Sequence, residues 1–353
     1  MAKCIQPDYV KDFKCNGKFC NARCCRDWRI VIDEKTYDKF LQLDKDAKEK
    51  IISNIKWMHD PTEDVEVMTI KMRDNGHCSF LTDDCLCSIQ KCHGEDFLTA
   101  ICQIFPRVTY KLDEEIFQQS MTLTCPVAAE MILLSDEPIK FVEVDNVTAR
   151  AILTLDENAP RNVEIFLKLQ ADAIKILQDR NLTINQRLKN FYELFGGKIS
   201  EDVKFNLEKH SLTIVDIFNK MYKAGMNDSK KNDLSNNYTV YREIILTPIY
   251  ENFSYIFENY LVNEFFMRCY PHACRGGELH NCKVFITGYR LLEFALVLAV
   301  ISKSRLTLED TANLIVSVND MIDHTHGSME AIINFAKSCD DEIFAATMLD
   351  SSF

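Results

Sequence analysis

The sequence predicts a mainly α-helical protein whose N-terminal part is a Cys-rich metal-binding domain with a few short strands, followed by a multi-helical domain. Three observations predict it. Of 15 cysteines, eleven fall in the first 125 residues: Cys4, Cys15, Cys20, Cys24, Cys25, Cys78, Cys85, Cys87, Cys92, Cys102 and Cys125. From about residue 162 onward, apolar residues recur at helical spacing. Glycine is scarce, 10 of 353 residues, about 3% against a usual ~7%, which disfavours hairpin-rich folds and Gly-rich nucleotide loops. At roughly 100–200 residues per domain the length implies two or three domains, and the change in character places the division at 1–130 and 131–353.

The elements follow in order. Trp28 to Ile32 alternates and carries β-branched residues, so it reads as a short strand. Asp33 is a candidate N-cap for a helix from Glu34 to about Asn54, with Tyr37, Phe40, Leu41 and Leu43 near its buried face. Val65–Met72 and Ile116–Leu123 read as strands, and Asp74, Asn75 and Gly76 as a turn. Ser79–Leu81 and Leu86–Ile89 are short segments. Glu95–Ile104 reads as a helix ending near Pro106, and Pro126 opens another, running to about Leu134. Pro138 and Pro160 interrupt 135–162. Helices are then expected at 162–180, at 183–195 from Thr183 to the stop at Gly196 and Gly197, within 200–226, and at 253–270, 284–303, 307–323 and 328–337. The polar stretch 225–237 reads as a loop.

Charge and hydropathy exclude several functions. The 41 Lys and Arg against 53 Asp and Glu give a net charge of −12, and no basic stripe of the kind that binds nucleic acid is present. No apolar run approaches the ~18–20 residues of a membrane helix. The longest, Leu291–Ser302, is interrupted by Glu293, so no membrane partner is expected. The first residues lack the apolar stretch of a secretory signal. The expected location is cytoplasmic, and the oligomeric state stays open.

In a reducing compartment an odd number of clustered thiols argues against disulfides and for metal or redox chemistry. The spacing is Cys15-x4-Cys20-x3-Cys24-Cys25, then Cys78-x6-Cys85-x-Cys87-x4-Cys92-x9-Cys102. It is neither the paired CxxC of a zinc ribbon, nor a ferredoxin run, nor the CxxxCxxC of radical-SAM enzymes. A thiolate-rich set still selects zinc, copper(I) or iron–sulfur by softness. Cys269, His272, Cys274, His280 and Cys282 are also zinc-compatible types, but a fortuitous loop is the preferred reading.

Several strings together resemble the FliB-type flagellin lysine N-methylase family. They are Phe13-Lys14-Cys15-Asn16-Gly17-Lys18-Phe19-Cys20, Cys24-Cys25-Arg26-Asp27-Trp28-Arg29-Ile30, Asp33-Glu34-Lys35-Thr36-Tyr37, Cys78-Ser79-Phe80-Leu81, Leu86-Cys87-Ser88-Ile89-Gln90, Gly94-Glu95, Cys102-Gln103-Ile104-Phe105-Pro106-Arg107 and Thr124-Cys125-Pro126. Farther along, Glu258-Asn259-Tyr260-Leu261-Val262-Asn263 and Asp323-His324 are also similar. Residues 135–250 match only in helical character.

The resemblance implies transfer of methyl groups from S-adenosylmethionine to surface lysines of flagellin. It also implies an iron–sulfur cluster, [4Fe–4S] in type with zinc as the alternative, bound among Cys15, Cys20, Cys24, Cys25, Cys78, Cys87, Cys102 and Cys125. Eight thiols exceed the four one such centre uses, and Cys4, Cys85 and Cys92 look like extras. Methylation of an amine whose free pKa is ~10.4 needs a group to take its proton. Tyr260, Glu258 and His324 are the candidates, against ordinary helix packing and capping. No Gly-rich SAM signature is visible, so the cofactor site is unplaced. The rival readings are a non-enzymatic zinc- or iron-binding interaction protein on the same Cys scaffold, and a thiol redox sensor.

Overall fold

The computed structural model describes residues 2–17, 19, 20, 22–26, 28–60, 64–145, 152–155, 162–199, 228–303, 306–325 and 327–349. The helices expected within 200–226 lie outside them.

The described residues form twelve α-helices and two small sheets, so the protein is mainly α. The larger sheet has five strands, β1 (Lys3–Pro7), β4 (Arg107–Lys111), β5 (Ile116–Met121), β6 (Phe141–Asp145) and β7 (Leu153–Thr154), in the order β6-β1-β5-β4-β7. β1 lies parallel to β5 and antiparallel to β6. β2 (Ile55–Asp60) and β3 (Val65–Ile70) form a separate hairpin.

The helices begin where short polar side chains can accept backbone N–H groups. Asp33 accepts from Thr36 N at 3.0 Å to start α1 (Glu34–Leu41). The single helix expected from 34 to 54 is two, because Asp44 takes a second cap, on Ala47 N, and starts α2 (Lys45–Ile52). α3 is Ser88–His93. The expected 95–104 helix divides likewise. Glu95–Phe97 is a 3₁₀ turn, and Thr99 caps α4 (Ala100–Ile104). The segment expected as a strand at 28–32 forms only an isolated bridge from Val31 to Thr69, since Asp33 turns the chain into α1 at once. α5 (Pro126–Leu133) has Pro at its first position, where the missing N–H is harmless.

α6 (Val163–Leu177) and α7 (Ile184–Leu194) follow, the latter with a capping box between Thr183 and Gln186. α8 runs from Asp228 to Met267 with a break at Phe253 (φ −139°, ψ 31°), five residues after Pro248. Residues 228–237, expected as a loop, belong to this helix. Their polarity misled, since no Pro or Gly interrupts that stretch. α9 (Glu278–Lys303) is long and apolar enough to cross a bilayer, more so than the 291–302 run implied. Yet 72% of its apolar window is buried in the molecule, which makes it a core helix. α10 (Leu308–His324) opens with a capping box of Thr307 and Asp310. α11 (Ser328–Ser338) and α12 (Asp341–Phe344) complete the set.

Burial divides these elements into two cores. The larger gathers α5 to α12 and includes Val10, Phe13, Met121, Leu123 and Cys125. Residues on both sides of position 130 therefore share one core. The smaller is built by Ala22, Ile30, Ile32, Phe40, Ile51, Ile70, Cys78, Phe80, Leu81, Ile89 and Leu98. Between the cores runs the thiol-lined cavity.

Candidate functional site: a thiol-lined cavity

All eight motif thiols, Cys15, Cys20, Cys24, Cys25, Cys78, Cys87, Cys102 and Cys125, line one cavity of about 630 Å³. Local backbone constraints bring them there. A Cβ on Gly17 would stand 2.5 Å from the Cys85 carbonyl oxygen, so only glycine lets the 15–20 loop lie on the 85–87 loop. Cys78 N donates to Cys25 O at 2.8 Å, which fixes the second thiol group against the first. Cys87 and Cys125 are the N-cap residues of α3 and α5, and Cys102 lies in the first turn of α4. Helix N-termini favour thiolate over thiol. Cys85 also reaches this wall. Cys4 is buried in β1 and Cys92 is exposed, and neither lines the cavity.

Burial opposes ionisation of these thiols in the protein alone. It pushes Cys102 and Cys125 up to about 12 and raises Cys78, Cys87 and Cys15. Cys24 is held below the ordinary thiol value, chiefly by the Cys25 thiol donating to it, and Cys25 is raised by the same contact. The cavity is thus a converging set of soft donors whose charged form needs a cation. A closed zinc site holds sulfur at ~2.3 Å from one point. Among the described residues no three His, Cys, Asp or Glu groups are gathered to hold a single ion. The donor set is one of soft sulfur ligands, the eight motif thiols and Cys85, spread over the wall of one cavity.

Aromatic and charged side chains complete the wall. Trp28 packs edge-on against Phe105, with ring centroids 5.6 Å apart. The Arg107 guanidinium lies over Phe13 at 5.3 Å. On its other side Trp28 meets His324 of α10, centroids 4.3 Å apart, and Arg23 pairs with Asp320 of the same helix. The expected catalytic residue His324 therefore sits at the joint between the thiol-bearing segment and the helices.

The other two expected residues lie elsewhere. The Glu258 carboxylate, 1% exposed, accepts from Arg187 Nη1 at 2.8 Å and from Arg180 Nη2 at 2.9 Å. Its neighbours bind backbone too. Asn259 donates to Ile132 O and Ser135 O, and Asn263 to Met121 O. Tyr260 instead lines a small buried cavity with Glu264, Arg268 and Asn319. Glu264 and Asn319 escaped sequence reasoning. The available signal was the i, i+4 row Tyr260, Glu264, Arg268 on one helix face.

The Cys269–Cys282 group does not form a ligand set among the described residues. Asn281 closes that turn on the backbone of Cys274, with bonds of 2.7 and 2.8 Å.

Residues 188–348 match the model of the FliB lysine N-methylase C-terminal domain. The flagellar biosynthetic protein FliU of Salmonella muenchen is 30% identical over 149 residues, 42% of this chain and 87% of FliU. The chain belongs to the FliB-type lysine N-methylase family. Lysine-N-methylases of Salmonella choleraesuis and Salmonella typhimurium are each 31% identical over 139 residues, 36% of this chain. The aligned part spans 32% of the length of those two relatives. No solved structure matches the chain. The FliB C-terminal domain match runs from within α7 through α12, and so includes Glu258, Tyr260 and His324.

Proposed function

We propose that the chain is a protein-lysine N-methyltransferase that uses S-adenosylmethionine to methylate surface lysines of flagellin, with an iron–sulfur cluster in the thiol cavity. The observation that carries this reading is the convergence of all eight motif thiols on one cavity in a chain of this family. The flagellar name of one relative supports the choice of substrate.

Cys15, Cys20, Cys24, Cys25, Cys78, Cys87, Cys102 and Cys125 are the residues that would hold the cluster. S-adenosylmethionine, when bound, supplies an electrophilic methyl group on sulfur. The work of the chain is to hold a neutral lysine nitrogen in line with that methyl and to take up its proton. Trp28, Phe105 and Phe13 give the cavity an aromatic wall beside the thiols. The Trp28–His324 and Arg23–Asp320 contacts hold the thiol-bearing segment on α10.

The test is an intact-mass assay. Protein prepared without oxygen, its iron and sulfide measured, is mixed with flagellin and S-adenosylmethionine. Cofactor-dependent gain of methyl increments on flagellin is expected. No gain with full iron and sulfide would overturn the reading in favour of a metal-binding interaction module.

A further inference from the structure

The small cavity beside Tyr260 lies in the larger core, between α8, α9, α10 and α11. Its free space is about 20 Å³, room for one water-sized group. Two of its polar side chains are buried without satisfaction. Glu264, 4% exposed, accepts from Arg268 Nε at 2.8 Å through Oε2, and its Oε1 has no partner among the described residues. Asn319 is fully buried, and neither its Nδ2 nor its Oδ1 has a partner among them. Unpaired buried polar atoms are costly to leave unsatisfied, so three in one cavity mark a place built for something polar.

The walls say what kind of group. Tyr260, Tyr270 and Phe285 line the cavity with aromatic surface, which attracts a cation. A carboxylate oxygen and a carboxamide oxygen add acceptors for N–H, and the Arg268 guanidinium in the same wall is matched by two carboxylates, Glu264 at 2.8 Å and Asp323 at 2.7 Å. Gly288, in mid-helix α9, lines the same space, and a Cβ there would meet nothing within 4 Å. Glycine weakens a helix interior relative to alanine, and here no close approach of protein atoms requires it. Gly288, Met329 and Arg268 are the least buried of the lining residues, so the way in lies on their side.

We propose that this cavity receives a cationic amine, the ε-amine of the substrate lysine, with Glu264 Oε1 and Asn319 Oδ1 accepting its N–H groups and Tyr260, Tyr270 and Phe285 around it. The site rests on the methylase reading for the identity of the amine, but the binding itself can be tested without any reaction.

The probe is Nα-acetyl-lysine methylamide, titrated into the full chain by calorimetry, with the norleucine counterpart as its uncharged control. Saturable binding of the lysine probe alone is expected. Asn319→Leu removes both unpaired amide atoms and Gly288→Val fills the space. Both variants are expected to melt no lower than the parent, to lose probe binding, and to raise KM for flagellin at least tenfold. If the folded variants keep the parent's KM and probe binding, or if lysine and norleucine probes bind alike, the site is overturned while the methylase stands. If the probe binds only the parent and no protein lysine is ever methylated, the amine site stands and the methylase reading falls.

Discussion

Replacing Glu258 by alanine leaves two guanidinium groups facing an emptied place, one of them, on Arg187, itself buried. Breaking one side of a buried pair costs about 3–5 kcal/mol. The urea midpoint of Glu258→Ala should fall accordingly, and Arg187→Met should fall with it. A second buried carboxylate sets a pH limit. Burial would raise Glu293, but Arg242 and Arg290 outweigh it and, with Tyr250, hold the carboxyl at about 2. Arg290 Nη1 reaches both Glu293 oxygens at 2.8 and 2.7 Å. Because the folded value lies below the ordinary 4.5, the stabilisation is complete above that value and is lost as pH falls towards 2. Acid titration of Glu293→Gln should show a lower plateau and a flatter limb over that window.

At the scale of elements, much was legible and the failures share a cause. Helices α5, α6, α7, α10 and α11 appear within a few residues of expectation, because caps such as Thr183 and Thr307 and amphipathic spacing act locally. Thr183→Ala should remove about 1 kcal/mol through the lost cap, read as a lower melting temperature. The errors at 34–54 and 95–104 arose because Asp44 and Thr99 act as new caps inside a continuous apolar rhythm. β1, β2, β4, β6 and β7 were missed, and all but β2, which pairs in a local hairpin with β3, take partners set by the tertiary fold. At the site, clustering drew attention to the cysteines and the family resemblance picked out the eight, but the cavity they share depends on contacts such as Gly17 on Cys85. Gly17→Ala should push those loops apart, and on the proposed cluster it should lower iron content by more than half, measured against an unchanged Cys92→Ser control.

For the whole molecule, the unequal cores make a further prediction. A small core gains disproportionately from a bound metal. Chelation, or Cys20→Ser, should therefore expose residues 22–102 to limited proteolysis while the helices from α5 onward stay protected. Near-identical digestion of replete and stripped protein would count against a structural cluster. The junction on α10 should couple the two parts. Trp28→Ala is expected to lower the temperature at which the smaller core opens and to leave the larger transition in place, as read by calorimetry.

β1 sits between β5 and β6, so the chain's third to seventh residues wait for partners that end at Asp145. In synthesis the thiols from Cys15 to Cys102 emerge before β1 has either of its partners. At about 5–20 residues per second, the gap between Cys25 and Asp145 lasts roughly 6–24 s. For most of that interval, until β5 is made, the cysteine segments follow a strand with no partner. Cys125, at the start of α5 just beyond β5, is the last of the eight thiols to arrive. The strand order thus leaves the cysteine segments made well before the sheet that begins the chain is complete.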